Sequence, residues 1–566
     1  MKRTTRTPSV RLLVRLLALT VAAPAGAANL VSNNNWDVSL DTTLQYTNGW
    51  RQEGRDAGIG NHPFYAQGNY KFDKGDRVTN RLQGLVEFQA VYNKATALRV
   101  SGSYWKDWAY DDKVRTNPNP AFSTILTYPG GRYSEVTKKY AIEGGELLDA
   151  FISHNTSIGD VPVYIKAGRF TQHWGNAFFF GFSNIAYSQH PVDFAKSFAQ
   201  PGSEIKELFL PRRQVMLTAD LTPELSVSAQ LFGEYRENRF PEGGTYLGPF
   251  DILYSGPTSG GALAASLGGP VSAGAIVRPK DNNKNYGIKA TWSPPAAGGD
   301  IGFYLRQFDD VQPWASASIH ANGGGAIHQL FAQKTKLYGL SYERTFGPFS
   351  TGFELSHRKD TALNSAFTNG KPGVPYTAGA TGDITNLIAN VLYPLPKTAL
   401  WDTGTFIAEM SYTRLNRVTG NKELFNGVGS AVCTDSVNPA LPGTKHDGCA
   451  TRNAVGLAFL LEPQWLQAAP GVDISLPMSL TYGAHGNPAY VGGPFYAEGS
   501  RLFSVGVKAV VKQRTSVLLQ YNGYGYKTSP LVDVPGLGPS YAGFGGNGAV
   551  ALNDKGWIQL TIKTSF

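Results

Sequence analysis

His173 and His190 flank Ser183 and Ser188, and Asp193 follows, so one short segment holds every side-chain type of a nucleophile, base and acid relay. No Gly-x-Ser-x-Gly elbow raises either serine on a strained turn. Polar residues of these kinds also fill the interior of a barrel, so no enzymatic activity is expected and no catalytic residue is assigned. Glu204 and Glu207 are spaced to share a helix face, but Lys206 and Arg212 beside them point to charge balance or lumen selectivity rather than a metal. No P-loop or dinucleotide fingerprint is present, and no cofactor or metal is expected. Cys433 and Cys449 lie among Gly, Pro, Asp and Thr; in an exported chain they would close one loop as a disulfide that stiffens it. A zinc site with His446 would lack its further ligands.

The segment from Arg169 to Arg213 differs from the other connections. It runs from Gly168 and Arg169 through His173, Trp174 and Gly175 to Phe178, Phe179, Phe180, Gly181 and Phe182. It then carries Gln189, His190, Pro191, Val192 and Asp193, and closes on Pro201, Gly202, Ser203, Glu204, Ile205, Lys206 and Glu207. Apolar groups this dense are costly to leave in an external solvent loop. Residues 172–211 are therefore expected to fold inward as a constriction or plug, the alternative being an external cap packed against its neighbours. In the first case Trp174 and the four phenylalanines supply apolar contacts, while Arg169, His173, Asp193, Glu204, Lys206 and Glu207 orient polar groups or set charge selectivity.

Composition limits what can hold that segment. The chain has 566 residues, of which 16% are charged against roughly 25% in a soluble domain, and its 65 glycines exceed the usual share of roughly 7%. Lys2, Arg3, Arg6, Arg11 and Arg15 surround a short apolar stretch ending at Ala25, Gly26 and Ala27, which reads as a signal peptide over 1–27. Its five cations account for most of the net +9, leaving +4 over the mature chain, too diffuse a surplus for a nucleic-acid partner.

After the leader no run of 18 apolar residues exists, so helical spans are out. Period two recurs instead: Trp36, Val38, Leu40, Thr42, Leu44 and Tyr46 alternate with polar residues. The rhythm returns in 82–92, 225–235, 349–357, 406–412, 472–482, 503–511 and 517–523. Eight short turns, one of them over 462–471, alternate with nine long loops, among them 172–211, 237–284 and 415–451, which requires 18 strands, with 16 as the near alternative. An even number with one tight and one elaborate rim predicts an all-β, single antiparallel transmembrane barrel over 28–566, with short periplasmic turns and long extracellular loops. Aromatics such as Trp36, Tyr46, Tyr92, Trp108, Tyr235, Trp292, Tyr412, Tyr482 and Tyr521 fall near strand ends, where a membrane girdle sits, though some must face inward.

The last strand alternates Ile558, Leu560, Ile562, Thr564 and Phe566 with polar residues and stops on the aromatic. That end resembles the signal recognised by the outer-membrane barrel assembly machinery. The phrases GRFTQHWGNAFFFG, QHPVD and PGSEIKELFLP, with the later YLGPFD, resemble the central signature of the family catalogued as domain of unknown function 1302, a group of Gram-negative outer-membrane proteins. The resemblance spans most of the mature chain. It implies movement of lipids or other hydrophobic compounds and exported partner proteins, and it carries no catalytic set. It also implies an acidic residue after Trp174 and Gly175, where Asn176 stands. The expected partners are outer-membrane lipid and lipopolysaccharide, the assembly machinery during biogenesis, and periplasmic or inner-membrane transport partners, with no nucleic acid. The expected task is passage of a small hydrophobic or amphipathic compound across the cell outer membrane. A general diffusion porin and a non-transporting surface binding protein or adhesin are the alternatives.

Overall fold

A computed structural model describes residues 28–199, 208–281, 284–367, 371–374 and 376–566. The expected leader over 1–27 lies outside the described residues. Period-two segments become long strands because one face meets lipid and the other meets the interior. In chain order they are β1 (Trp36–Arg51), β2 (Arg77–Tyr92), β3 (Thr96–Asp107), β4 (Glu143–Ile158), β5 (Val161–Phe170) and β6 (Arg212–Thr222). Then come β7 (Leu225–Phe232), β8 (Tyr286–Trp292), β9 (Asp300–Phe308), β10 (Thr335–Phe346), β11 (Phe349–Ala362) and β12 (Thr381–Pro394). The set ends with β13 (Thr403–Gly420), β14 (Asn453–Ala469), β15 (Val472–Ser475 continued by Met478–His485), β16 (Arg501–Val511), β17 (Thr515–Gly525) and β18 (Trp557–Ser565).

Each strand pairs antiparallel with its chain neighbours, and β18 returns to β1, with Ser565 opposite Thr43 and Trp557 opposite Arg51. The 18 staves therefore close on themselves, the one β form that satisfies every backbone group in lipid, and Ala28–Ser32 adds a short antiparallel strand against residues 37–40 of β1. Phe566 extends the seam: its amide donates to the Thr42 carbonyl at 2.8 Å and its carbonyl accepts from Thr42 at 3.1 Å.

Outward positions form an apolar belt that includes Val215, Leu231, Phe303, Leu340, Phe353, Leu387, Phe459, Val505 and Leu519, all exposed. At the short-turn rim Trp36 packs on Tyr92 and Phe349 stacks on Tyr393, as an interfacial girdle requires. The protein is a multi-pass barrel of the outer membrane, its tight rim on the periplasmic side.

Three local readings change. Tyr235 lies beyond β7 and is buried, its hydroxyl donating to the Asp310 carbonyl, so it is no girdle residue. β15 is broken at Leu476 and Pro477, because proline has no amide to give the ladder. β14 runs on to Ala469 through residues expected to turn. The long connections also fold: 271–277, 314–319 and 325–330 make a small three-stranded sheet among them.

Candidate functional site

The interior is built from inward charges and the segment they hold. On β11, Phe353 and Leu355 face lipid while Glu354 is 2% exposed; on β13, Met410 faces lipid and Glu409 is 2% exposed. The Glu409 carboxylate accepts the amides of Phe178, Phe179 and Phe180 at 2.6, 2.8 and 2.9 Å. Glu354 accepts those of Asn176, Ala177 and Ile185, the last two at 3.0 and 2.8 Å. Backbone amides that curl round a carboxylate leave it ionically satisfied without a cation.

Carbonyls of the same segment meet buried arginines. Arg306 of β9 donates to Ile185 and Tyr187 at 2.7 and 2.8 Å, Arg358 of β11 to Phe182 at 2.8 Å, and Arg212 of β6 to Ser188 and Gln189 at 2.5 and 2.9 Å. Acceptors and donors on the wall thus fix residues 176–189 inside the barrel from several strands at once. Close approach explains the motif glycine: Gly175 has φ +95°, and a Cβ there would collide with the Glu354 carboxylate. Inward Gly287 and Gly456 likewise leave room for the rings of Trp174 and Phe180.

Beyond that clasp the side chains form a ring stack. Phe182 stacks on Phe194 (centroids 5.5 Å apart), Phe194 on Phe240 (4.7 Å), and Phe240 on both Tyr254 (4.9 Å) and Phe495 (5.7 Å). Phe182 and Phe194 border a cavity of about 1060 Å³ toward the short-turn rim, which Phe178, Phe179, His173, Glu343 and Arg344 also line. Tyr254 and Phe495 border a second cavity of about 470 Å³ among the long loops. The stack therefore stands between an inner and an outer chamber.

The sequence-predicted residues separate into groups. Trp174, Phe180, Phe182 and Asp193 are buried; Phe178 is half exposed to the inner cavity. His173 Nδ1 lies 3.0 Å from His190 Nε2, and both rings stack on Phe209. Burial, followed by the His173 ring and two arginines, holds His190 well below the usual imidazole range, so it is neutral. Ser183 meets Thr413 and Tyr490, Ser188 donates to the Asp309 carbonyl, and Asp193 pairs with Arg239, so these groups do not converge as a relay. Arg239 also pairs with Glu146 of β4 at 2.9 Å, tying Asp193 to the wall. Arg169 stands apart, donating to the Pro211 carbonyl at 3.2 Å. Glu204, Lys206 and Glu207 lie outside the described residues. Cys433 and Cys449 are bonded, with Cα atoms 5.8 Å apart.

Sequence reasoning missed Glu354, Glu409, Arg212, Arg306 and Arg358 as anchors. Their signal was present: ionisable residues at inward positions of membrane-crossing strands are costly unless held.

Residues 9–566 match the family described as "Protein of unknown function (DUF1302)". No curated protein is significantly similar to the chain. Among solved structures, OccD3 (OpdP) of Pseudomonas aeruginosa is 12% identical over 97% of this chain and 96% of its own, with a TM-score of 0.40. OccAB4 of Acinetobacter baumannii is 9% identical over 94% and 98%, also at 0.40. OprD of Pseudomonas aeruginosa is 11% identical over 96% and 99%, at 0.38. These likenesses are too distant to transfer a function.

Proposed function

We propose that this chain, which belongs to the DUF1302 family, is an outer-membrane channel for small hydrophobic or amphipathic compounds, with residues 172–211 as its constriction. The observation that carries the reading is the stack of Phe182, Phe194, Phe240, Tyr254 and Phe495 between the two cavities. A hydrated ion passing between those rings would give up its water for apolar surface, a large penalty. An apolar solute exchanges ring contacts for ring contacts and loses little, so the barrier discriminates by polarity. The amides on Glu354 and Glu409 keep the backbone of the constriction fixed while side chains beyond it part.

The wide inner cavity, with Glu343 and Arg344 in its wall, favours a second reading, the general diffusion porin. Uptake separates the two. Cells producing the protein should take up the neutral fluorophore N-phenyl-1-naphthylamine faster than cells without it, and Phe194→Ser with Phe240→Ser should slow that uptake while admitting more ions. A folded, membrane-inserted wild type that gives no acceleration overturns the hydrophobic reading.

A further inference from the structure

We infer that the outer cavity is a selectivity site that binds uncharged, ring-containing amphipathic molecules and rejects carboxylates. The inference rests on the channel reading above and names the class of compound the channel admits. Six of the nine long connections contribute to the wall of this cavity of about 470 Å³, a size suited to a small organic ligand. Its apolar surface comes from rings and aliphatic groups such as Phe250, Leu253, Trp314, Phe367 and Phe544.

Its polar surface has a one-sided character. Among the described residues no Lys, Arg or His lines the cavity, whereas Asp435 and Asp447 do. Both carboxylates are held by loop amides: Asp435 accepts from Val437 and Asn438, and Asp447 from Ser436 and Thr444. The remaining polar wall includes the carboxamides of Gln329, Asn364 and Asn426, whose side chains make no hydrogen bond to the described residues. Carboxamides both donate and accept, so they suit a hydroxyl or carbonyl group. A carboxylate would shed water here, meet two like charges and find no cation, which is the arrangement that rejects a ligand. The Cys433–Cys449 bond fixes the part of the wall that carries both aspartates.

The test is calorimetric titration of the whole protein in lipid nanodiscs with 1-naphthol and with 1-naphthoate at pH 7, empty discs serving as the blank. The proposal expects 1-naphthol to bind at least tenfold more tightly than 1-naphthoate. Asn426→Lys should invert that order, because it places one cation on the wall, and Phe544→Ala should weaken 1-naphthol severalfold. Heat-dependent gel migration establishes that each variant is folded. Equal binding of the two probes, no binding of 1-naphthol, or an order unmoved by Asn426→Lys would each overturn the proposal. If 1-naphthol fails to bind while the protein still accelerates uptake of the neutral fluorophore, the selectivity site falls and the channel reading stands.

Discussion

Glu409 shows how much one side chain can hold. Its carboxylate accepts three consecutive amides, and hydrogen bonds to a charged group are worth roughly 1.5–3 kcal/mol each. Glutamine keeps the shape but offers one acceptor oxygen and turns an amide donor toward those N–H groups. Glu409→Gln should therefore leave the barrel folded while amide exchange over 176–185 quickens at least tenfold by mass spectrometry; unchanged exchange would remove Glu409 from its anchoring role. Glu242, in the connection after β7, supplies a pH test. Burial, against hydrogen bonds from Gly256 and Ser255, lifts it from 4.5 to about 7. The folded chain thus keeps a proton that the unfolded chain releases above about pH 4.5, so this contribution weakens as pH rises through about 7. Exchange around 242–256, corrected for its intrinsic pH dependence, should speed up between pH 6 and 8, and Glu242→Gln should flatten the change. At this scale the sequence was only partly legible. The Trp-Gly and Phe-rich run singled out the segment that holds Trp174 and Phe182, both of them buried, but Asn176 and Glu354 are far apart in the chain and only barrel closure brings them together.

Strands were the most readable elements, because lipid and lumen impose opposite demands on alternate residues of β11 or β16 over their whole length. Boundaries slipped where another rule intervened, as at Pro477 in β15 and in the extension of β14 to Ala469. The loops gave less, since their structure comes from contacts with one another. The connection holding Cys433 and Cys449 is an exception, its covalent closure being visible in composition and spacing. Cutting that link releases a loop whose closure is worth roughly 3 kcal/mol in the chain-entropy view. Cys433→Ser with Cys449→Ser should make residues 421–452 susceptible to external protease while heat-dependent gel migration of the barrel stays unchanged. Loss of the barrel itself would show that this connection has a larger structural part than a local brace.

For the whole molecule, closure and occlusion are distinct properties. Closure follows from β18 pairing with β1, and the alternating strands announced it. The proposed occlusion rests on arginines and glutamates of β6, β9, β11 and β13 that converge on one connection, which periodicity cannot reveal because it assigns a face and not a neighbour. The central claim is that this connection is held across the lumen and denies passage to ions. Single-channel conductance in planar bilayers, comparing wild type with the Glu354→Gln/Glu409→Gln double variant at matched folding and insertion, tests it most directly. A nearly silent wild type and a variant with frequent, larger openings is the predicted result; a large, steady wild-type conductance that the double substitution leaves unaltered would contradict the account.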